Sequence, residues 1–172
     1  MLIDVTKIKK IAGKAFPFKL EAQWPPLELQ GETLSFKGPV TVEGTATNTG
    51  RIILVDGTVS VTLQRPCGRC LEPVTQSLQV PFSEEYLHVS EKGQDLAGTD
   101  EEKLVIFEGN NIDLAPQVRE NLLLELPMSG LCREDCRGLC PVCGQNLNVR
   151  ECDCQPVNID PRLQVLEKFL KS

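Results

Sequence analysis

The sequence predicts an α+β protein: a β-rich antiparallel body with one packed helix, then a cysteine-rich segment and a short C-terminal helix. Three observations carry this prediction. Apolar and polar residues alternate through much of residues 40–82, as they do in half-buried strands. One helical stripe follows near residue 120, and six of the eight cysteines fall within residues 132–154. With 172 residues and 41% hydrophobic content, the chain can bury a core of ordinary size.

The body is predicted to be built from short strands and hairpins. LELQGETLSF is typical of a hairpin around Gly31, and residues 40–46 place three apolar side chains on one face. Asp56-Gly57 lies between RIILV and TVSVTL, and this dipeptide suits a two-residue turn, so we expect a hairpin there. Residues 74–82 and 104–107 predict two further strands, and RPCGRCLEP connects the hairpin to the first of them.

Two helices are predicted after these strands. IDLAPQVRENLLLELP predicts a helix over about residues 114–126 with Asp113 as its N-cap. DPRLQVLEKFLKS predicts a short C-terminal helix with Asp160 as cap and Pro161 in the first helical position. Both carry an apolar stripe at helical spacing, so each is expected to pack on other elements.

The predicted elements suggest how the chain is organised. Residues 1–128 form the β-rich body, interrupted by a polar loop at residues 90–103. Residues 129–172 form the cysteine-rich segment and the closing helix. We expect the two parts to pack together as one domain.

Charge and hydropathy narrow the classes of function. The formal net charge is −6 and aromatic residues are only 5%, which disfavours direct binding of nucleic acid. No stretch approaches the ~18 apolar residues of a membrane span, and MLIDVTKIKKIAGKAF lacks the apolar core of a secretory signal. We therefore expect a cytoplasmic protein without a membrane partner, in a reducing compartment where thiols bind metals more often than they pair.

Signals of catalysis are weak. The single histidine, His88, lies in a polar stretch, and Glu84 and Glu85 are neighbours whose side chains would leave a strand on opposite faces. No glycine-rich phosphate-binding loop is present, and no His-x-Glu accompanies the Pro-Cys-x-x-Cys. We expect no enzymatic activity and no small-molecule substrate.

The cysteines predict metal binding. Two Cys-x-x-Cys pairs stand out, and in CPVCG the following Gly144 permits a left-handed backbone that turns amide N–H groups toward the sulfur. Structural Zn²⁺ takes four ligands, so eight thiols divide into two four-cysteine sites. The candidate metal ligands are Cys67, Cys70, Cys132, Cys136, Cys140, Cys143, Cys152 and Cys154.

More than one grouping of these ligands is possible. The preferred one makes a local site from the last four thiols and a second site from Cys67, Cys70, Cys132 and Cys136. The rival makes the local site from Cys132, Cys136, Cys140 and Cys143 and joins the first pair to Cys152 and Cys154. A single filled site is a third possibility.

Other uses of the thiols are disfavoured. PCGRC resembles the dithiol of thioredoxin-like oxidoreductases, but a strand-like VTQSLQV follows it where that motif needs a helix. An iron–sulfur cluster and a stable disulfide framework are weaker alternatives to zinc.

The motifs together identify a family. In chain order they are CGRCL between two strands, IDL before a helix that ends in LPM, CxxxCxGLCPxCGxxLN followed by CxC, and a final DPRLQVLEKFL. This combination resembles the YceD family, the large ribosomal RNA subunit accumulation proteins of bacteria and chloroplasts, over roughly residues 40–170.

The resemblance implies a non-enzymatic role in 23S ribosomal RNA accumulation or processing and in large-subunit assembly. The partner is then either a large-subunit ribosomal protein or processing factor, which the acidic charge favours, or precursor 23S rRNA. An RNA or partner contact would use Arg65, Arg69, Arg133, Arg137 and Arg150. A metal-stabilised interaction module without a ribosomal role remains the alternative, with a dithiol redox protein behind it.

Overall fold

A computed structural model describes residues 1–29, 31–91 and 104–154, and these residues form two compact units. The first unit contains Met1–Arg65 and Thr75–Met128. The second contains Pro66–Val74 and the described residues 129–154. The predicted C-terminal helix and most of the predicted loop at 90–103 lie outside the described residues. The predicted division into residues 1–128 and 129–172 stays a prediction.

The described residues form nine strands and one α-helix. The strands are β1 (Leu2–Asp4), β2 (Ala15–Ala22), β3 (Leu27–Leu29), β4 (Glu32–Phe36), β5 (Val40–Asn48), β6 (Ile52–Pro66), β7 (Pro73–His88), β8 (Val105–Phe107) and β9 (Asn111–Asp113). The helix α1 spans Ala115–Glu125, and two single 3₁₀ turns cover Ile8–Lys10 and Val89–Glu91. The β-rich body with one packed helix is confirmed for these residues, whereas the full α+β assignment stays a prediction.

Seven of the strands form one sheet. Its antiparallel path runs β2-β5-β6-β4-β3, and β7 pairs with β6 and, in parallel, with β8. β1 and β9 form a separate antiparallel pair. The predicted hairpin around Gly31 is confirmed, because β3 and β4 are antiparallel and Gly31 has a φ of 83°.

The central strands bury the side chains that their alternation predicted. Val40 and Val42 of β5 and Val59 and Leu63 of β6 are fully buried in one apolar core of the first unit. Register determines this burial, because a shift by one residue would move the apolar set to the opposite face.

The predicted hairpin at Asp56-Gly57 is wrong. β6 continues through both residues, and Gly57 lies directly opposite Gly44 of β5. A Cβ atom on Gly44 would lie 2.0 Å from the carbonyl oxygen of Asp56, and one on Gly57 would lie 2.3 Å from that of Glu43. The two glycines thus serve a close approach of backbones rather than a turn.

β2 was not predicted from the sequence. Phe16, Phe18 and Leu20 alternate with exposed residues and pack, half-buried, against the core. Pro17 occupies one of the exposed positions, and a proline is tolerated there because β2 ends the path of the described sheet, where one side of a strand needs no partner.

α1 matches the predicted helix to within one residue at each end. Leu114 occupies the N-cap position, and Asp113 accepts a hydrogen bond from the Ala115 N–H at 3.0 Å without being the cap itself. Val118 and Leu122 are fully buried in the core of the first unit. No helix of the described chain is long and apolar enough to cross a membrane.

The paired glycines give the first testable prediction. Gly44→Ala should lower the free energy of unfolding of the first unit by roughly 1–3 kcal/mol, because its Cβ overlaps the backbone of β6. Thr58→Ala, at an exposed position of β6, should change the value by less than about 0.5 kcal/mol. Urea unfolding followed by circular dichroism measures both, and equal stability of Gly44→Ala and wild type would contradict the register.

Candidate metal centre

The structure gathers the eight free thiols of the second unit into two groups of four. The first group is Cys67, Cys70, Cys132 and Cys136, and the second is Cys140, Cys143, Cys152 and Cys154. Within each group all four sulfur atoms lie within 4.8 Å of one another. This is the grouping that we preferred from the sequence, and the rival grouping is not the one formed.

The first group has the dimensions of a tetrathiolate metal site. The sulfur atoms of Cys67 and Cys136 are 3.9 Å apart, and those of Cys70 and Cys132 are 3.6 Å apart. Four sulfurs bound tetrahedrally at ~2.3 Å from one zinc ion are about 3.8 Å from one another. Three of these cysteines are buried and Cys132 is exposed.

The second group is more open to solvent. Cys140 is buried, Cys152 and Cys154 are half-buried, and Cys143 is exposed. The sulfur atoms of Cys152 and Cys154 nevertheless lie within 4.8 Å of each other and of the other two sulfurs. The chain therefore makes the sharp bend that the Cys-x-Cys spacing requires. Each group therefore offers four sulfur ligands to one metal ion.

Each Cys-x-x-Cys pair is carried by the same kind of turn. The N–H of its first cysteine donates to the carbonyl five residues later at 2.8 Å, and the residue after its second cysteine donates back at 2.9 Å. The turns span Cys67 to Glu72 and Cys140 to Gln145, and the residues that donate back are Leu71 and Gly144. The two Cys-x-x-Cys loops are thus local repeats of one geometry, although their sequences differ.

The two turns differ at one strained position. Gly144 has a φ of 73°, and Leu71, its counterpart, has a φ of 63°. Leu71 is the one non-glycine residue with a positive φ in the described chain, and its side chain is 64% exposed. A left-handed backbone costs a residue other than glycine about 1–2 kcal/mol, so burial of this leucine does not repay its conformation.

Backbone donors make one thiol of each group acidic. Burial works to raise the pKa of the Cys67 thiol, but hydrogen bonds from backbone N–H groups outweigh it and lower this pKa to about 6. The N–H groups of Cys143 and Val142 lower the pKa of Cys140 to about 6 as well. Because the thiolate is the form that binds metal, both turns present a ligand that is ionised near neutral pH.

The neighbouring thiols respond in the opposite direction. A hydrogen bond with Cys136 raises the pKa of Cys132 to about 12, and one with Cys143 raises that of Cys154 to about 12. A thiol that donates its proton to a neighbouring thiolate holds that proton more tightly. Four thiolates cannot coexist in either group unless a cation neutralises them.

Asn148 lies at the centre of the contacts around the first group. Its Nδ2 donates to the sulfur of Cys136 at 3.2 Å, and its Oδ1 accepts from the backbone N–H of Arg137 at 2.8 Å and from Arg133 Nη2 at 2.7 Å. Burial works to raise the pKa of Cys136, but the Asn148 donor and the Gly138 N–H leave it below its ordinary value. Sequence reasoning missed Asn148, because an asparagine in a loop gives no sign of its distant partner.

Three of the arginines singled out from the sequence lie around the first group. Arg69 Nη1 donates to the carbonyls of Cys136 and Glu134 at 2.9 and 3.1 Å. Arg133 is paired with Asp135 and Arg137 with Glu151, at 3.4 and 2.8 Å. Arg150 is exposed on the same unit. Their role as partner contacts stays a prediction.

Arg65 lies in the first unit and is 4% exposed. Its guanidinium pairs with Glu32 at 2.6 Å and donates to the carbonyls of Pro127 and Met128 at 2.8 and 3.2 Å. It thereby holds the chain that follows α1 to the sheet. A contact of Arg65 with RNA or a partner stays a prediction, and the burial of its side chain does not support it.

Fold and site define a β-rich protein with a second, small unit whose eight thiols form two sites able to hold a metal ion. The model of one protein family, described as "Large ribosomal RNA subunit accumulation protein YceD", matches residues 55–170, which is more than half of the chain. The chain belongs to this family, as its motifs predicted.

Relatives among known proteins agree with this membership. Protein YlbN of Bacillus subtilis is 32% identical over 97% of this chain and 95% of its own length. Protein Rv2926c of Mycobacterium tuberculosis is 37% identical over 69% of this chain, and the match spans 56% of that longer protein, a little over half. "Large ribosomal RNA subunit accumulation protein YCED homolog 1, chloroplastic" of Zea mays is 28% identical over 77% of this chain and 56% of its own. No solved structure gives a significant match.

The two equivalent turns give a matched pair of substitutions. Leu71→Gly should keep metal binding and raise the stability of the metal-loaded protein by up to about 1 kcal/mol, because glycine relieves the left-handed strain. Gly144→Leu introduces that strain and should lower stability by about 1–2 kcal/mol. Thermal unfolding of the metal-loaded proteins measures both. A loss of stability in Leu71→Gly that equals the loss in Gly144→Leu would contradict the equivalence.

Proposed function

We propose that this protein is a non-enzymatic factor that promotes 23S ribosomal RNA accumulation or processing, and thereby assembly of the large ribosomal subunit. It acts in the cytoplasm through a surface held in shape by two zinc ions. The observation that carries the proposal is the family match over residues 55–170. Relatives from Zea mays and Arabidopsis thaliana that bear the name "large ribosomal RNA subunit accumulation protein" support it.

Zinc is the metal that the donor set favours. Each group supplies four thiols and no other donor, which is the ligand set of closed, structural zinc sites. A multi-iron cluster places several metal and sulfide atoms between its thiolates, and the sulfur separations of 3.6 and 3.9 Å in the first group suit a single ion instead. With four protein ligands no position stays open for substrate, so the metal stabilises structure rather than supplying catalysis.

Charge favours a basic protein as the direct partner. The described residues of the second unit carry four arginines and five carboxylates, a net formal charge of −1. Each zinc tetrathiolate adds a formal charge of about −2, so with both ions bound these described residues carry about −5. Two of the four arginines are already paired with carboxylates. Such a surface attracts basic ribosomal proteins and repels RNA phosphates.

A charge reversal separates the two kinds of partner. Glu134 is exposed, and Glu134→Lys should weaken binding to a basic large-subunit ribosomal protein several-fold, because it removes attraction from the proposed surface. Glu85→Lys makes the same change of charge at an exposed position of the first unit and should have little effect. Titration of each variant against purified large-subunit proteins and against 23S fragments, over a salt series around 0.15 M, about the physiological value, measures both.

Two outcomes would count against this account. Wild-type protein that binds 23S fragments with a steep loss of affinity as salt rises, and more tightly after Glu134→Lys, would assign the surface to RNA. A strain that lacks the protein and accumulates normal 23S rRNA would remove the ribosomal role and leave a metal-stabilised interaction module.

A further inference from the structure

The loop of the second cysteine group reaches into the first group. Residues 144–151 lie between Cys143 and Cys152, so by sequence they belong to the second group. Within this loop, however, Asn148 Nδ2 lies 3.2 Å from the sulfur of Cys136, a member of the first group. One amide therefore connects the ligand loop of one site to a ligand atom of the other.

The second group holds both ends of this loop. Cys143 precedes it and Cys152 follows it, and their sulfur atoms meet within 4.8 Å. A metal ion there would close the loop and limit the positions available to its middle. Without that ion the loop keeps its hydrogen bonds, such as the bond from Leu147 N–H to the carbonyl of Gly138, but loses the closure at its two ends and gains conformational freedom.

Hydrogen bonds in the middle of the loop orient the side chain of Asn148. Asn146 Oδ1 accepts from the backbone N–H of Asn148 at 3.0 Å and from its Nδ2 at 2.9 Å. Leu147 N–H donates to the carbonyl of Gly138 at 2.9 Å, and Asn146 forms a bridge with Leu139. The side chain of Asn148 is thus oriented by the loop that carries it.

A donor to a metal-bound thiolate strengthens the site. It stabilises the charge on the sulfur and fixes the orientation of the ligand, and losing such a partner lowers metal affinity by roughly 10–100-fold. The Asn148 amide is a side-chain donor to the first group that depends on the loop of the second. Any ordering of this loop by metal therefore acts on Cys136.

We propose that the two cysteine groups form one coupled metal centre, in which Asn148 transmits loading of the second group to the first. Metal in the second group holds the loop, the loop presents Asn148 to Cys136, and the first group binds its own metal more tightly. Coupling of this kind is reciprocal, so metal in the first group also tightens the second. The inference rests on the proposed metal sites.

The experiment measures zinc affinities of the full chain by competition with a chromophoric chelator under reducing conditions. Cys152→Ser/Cys154→Ser leaves only the first group able to bind, and Cys67→Ser/Cys70→Ser leaves only the second. The coupling factor is the overall constant for two zinc ions in the wild type divided by the product of the two single-site constants. We expect a factor of roughly 10–100.

Asn148→Ala should reduce this factor to about one, because it lowers the overall constant for two zinc ions by far more than it lowers either single-site constant. Asn148→Asp keeps the acceptor for Arg133 and Arg137 and removes the donor to Cys136, so it should lose the coupling as well. Asn111→Asp, at an exposed position of the first unit, makes the same exchange of amide for carboxylate and should keep the coupling.

The outcomes are distinct. Two bound zinc ions with a coupling factor near one in wild type, or a factor that Asn148→Ala leaves unchanged, overturn the coupling while the metal sites stand. The coupling is also overturned if Asn148→Ala lowers the product of the two single-site constants as much as it lowers the overall constant, since Asn148 would then only support the loop. A wild-type chain that binds no zinc overturns the sites and the coupling together.

Discussion

Repulsion between thiolates is the constraint on which the second unit depends. Two groups of four sulfur atoms, each within 4.8 Å, cannot be ionised together without a cation. Cys132 shows this limit, because its hydrogen bond with Cys136 raises its pKa to about 12, whereas backbone N–H donors lower the pKa of Cys67 to about 6. A divalent metal bound to each group would remove the conflict and turn the same geometry into a source of folding energy.

The apolar core of the second unit is too small to replace this energy. Among the described residues, its buried cluster consists of Cys67, Cys70 and Cys136, with only Val74 and Leu139 packed against them. The first unit, by contrast, has a continuous core of aliphatic and aromatic side chains from its sheet, from β1 and β9, and from α1. Metal removal should therefore unfold the second unit while the first retains its sheet. The described surface of the second unit carries paired arginines and an excess of carboxylates.

Local pattern was enough to predict what depends on neighbours in sequence. Alternation located β5 and most of β6, and capping and an apolar stripe located α1. Short spacings favoured the second cysteine group, which left the other four thiols as the preferred first group while a rival grouping stayed open. Local pattern failed where the partner is a distant strand. Gly57 lacks a Cβ because it lies close to the backbone of Gly44, and the sequence alone could not distinguish this need from that of a turn. Pro17 similarly obscured β2. Neither the contact of Asn148 with Cys136 nor the burial of Arg65 can be predicted from the sequence, since both depend on residues that only folding brings together.

The central claim is that each group of four thiols holds one structural zinc ion. Native mass spectrometry of the full chain, purified under reducing conditions, tests it most directly. The account predicts the mass of the chain plus two zinc ions, eight thiols that resist modification until a chelator is added, and loss of the second unit's structure on chelation. A chain that carries no metal while all eight of its thiols react freely in the folded protein would contradict it.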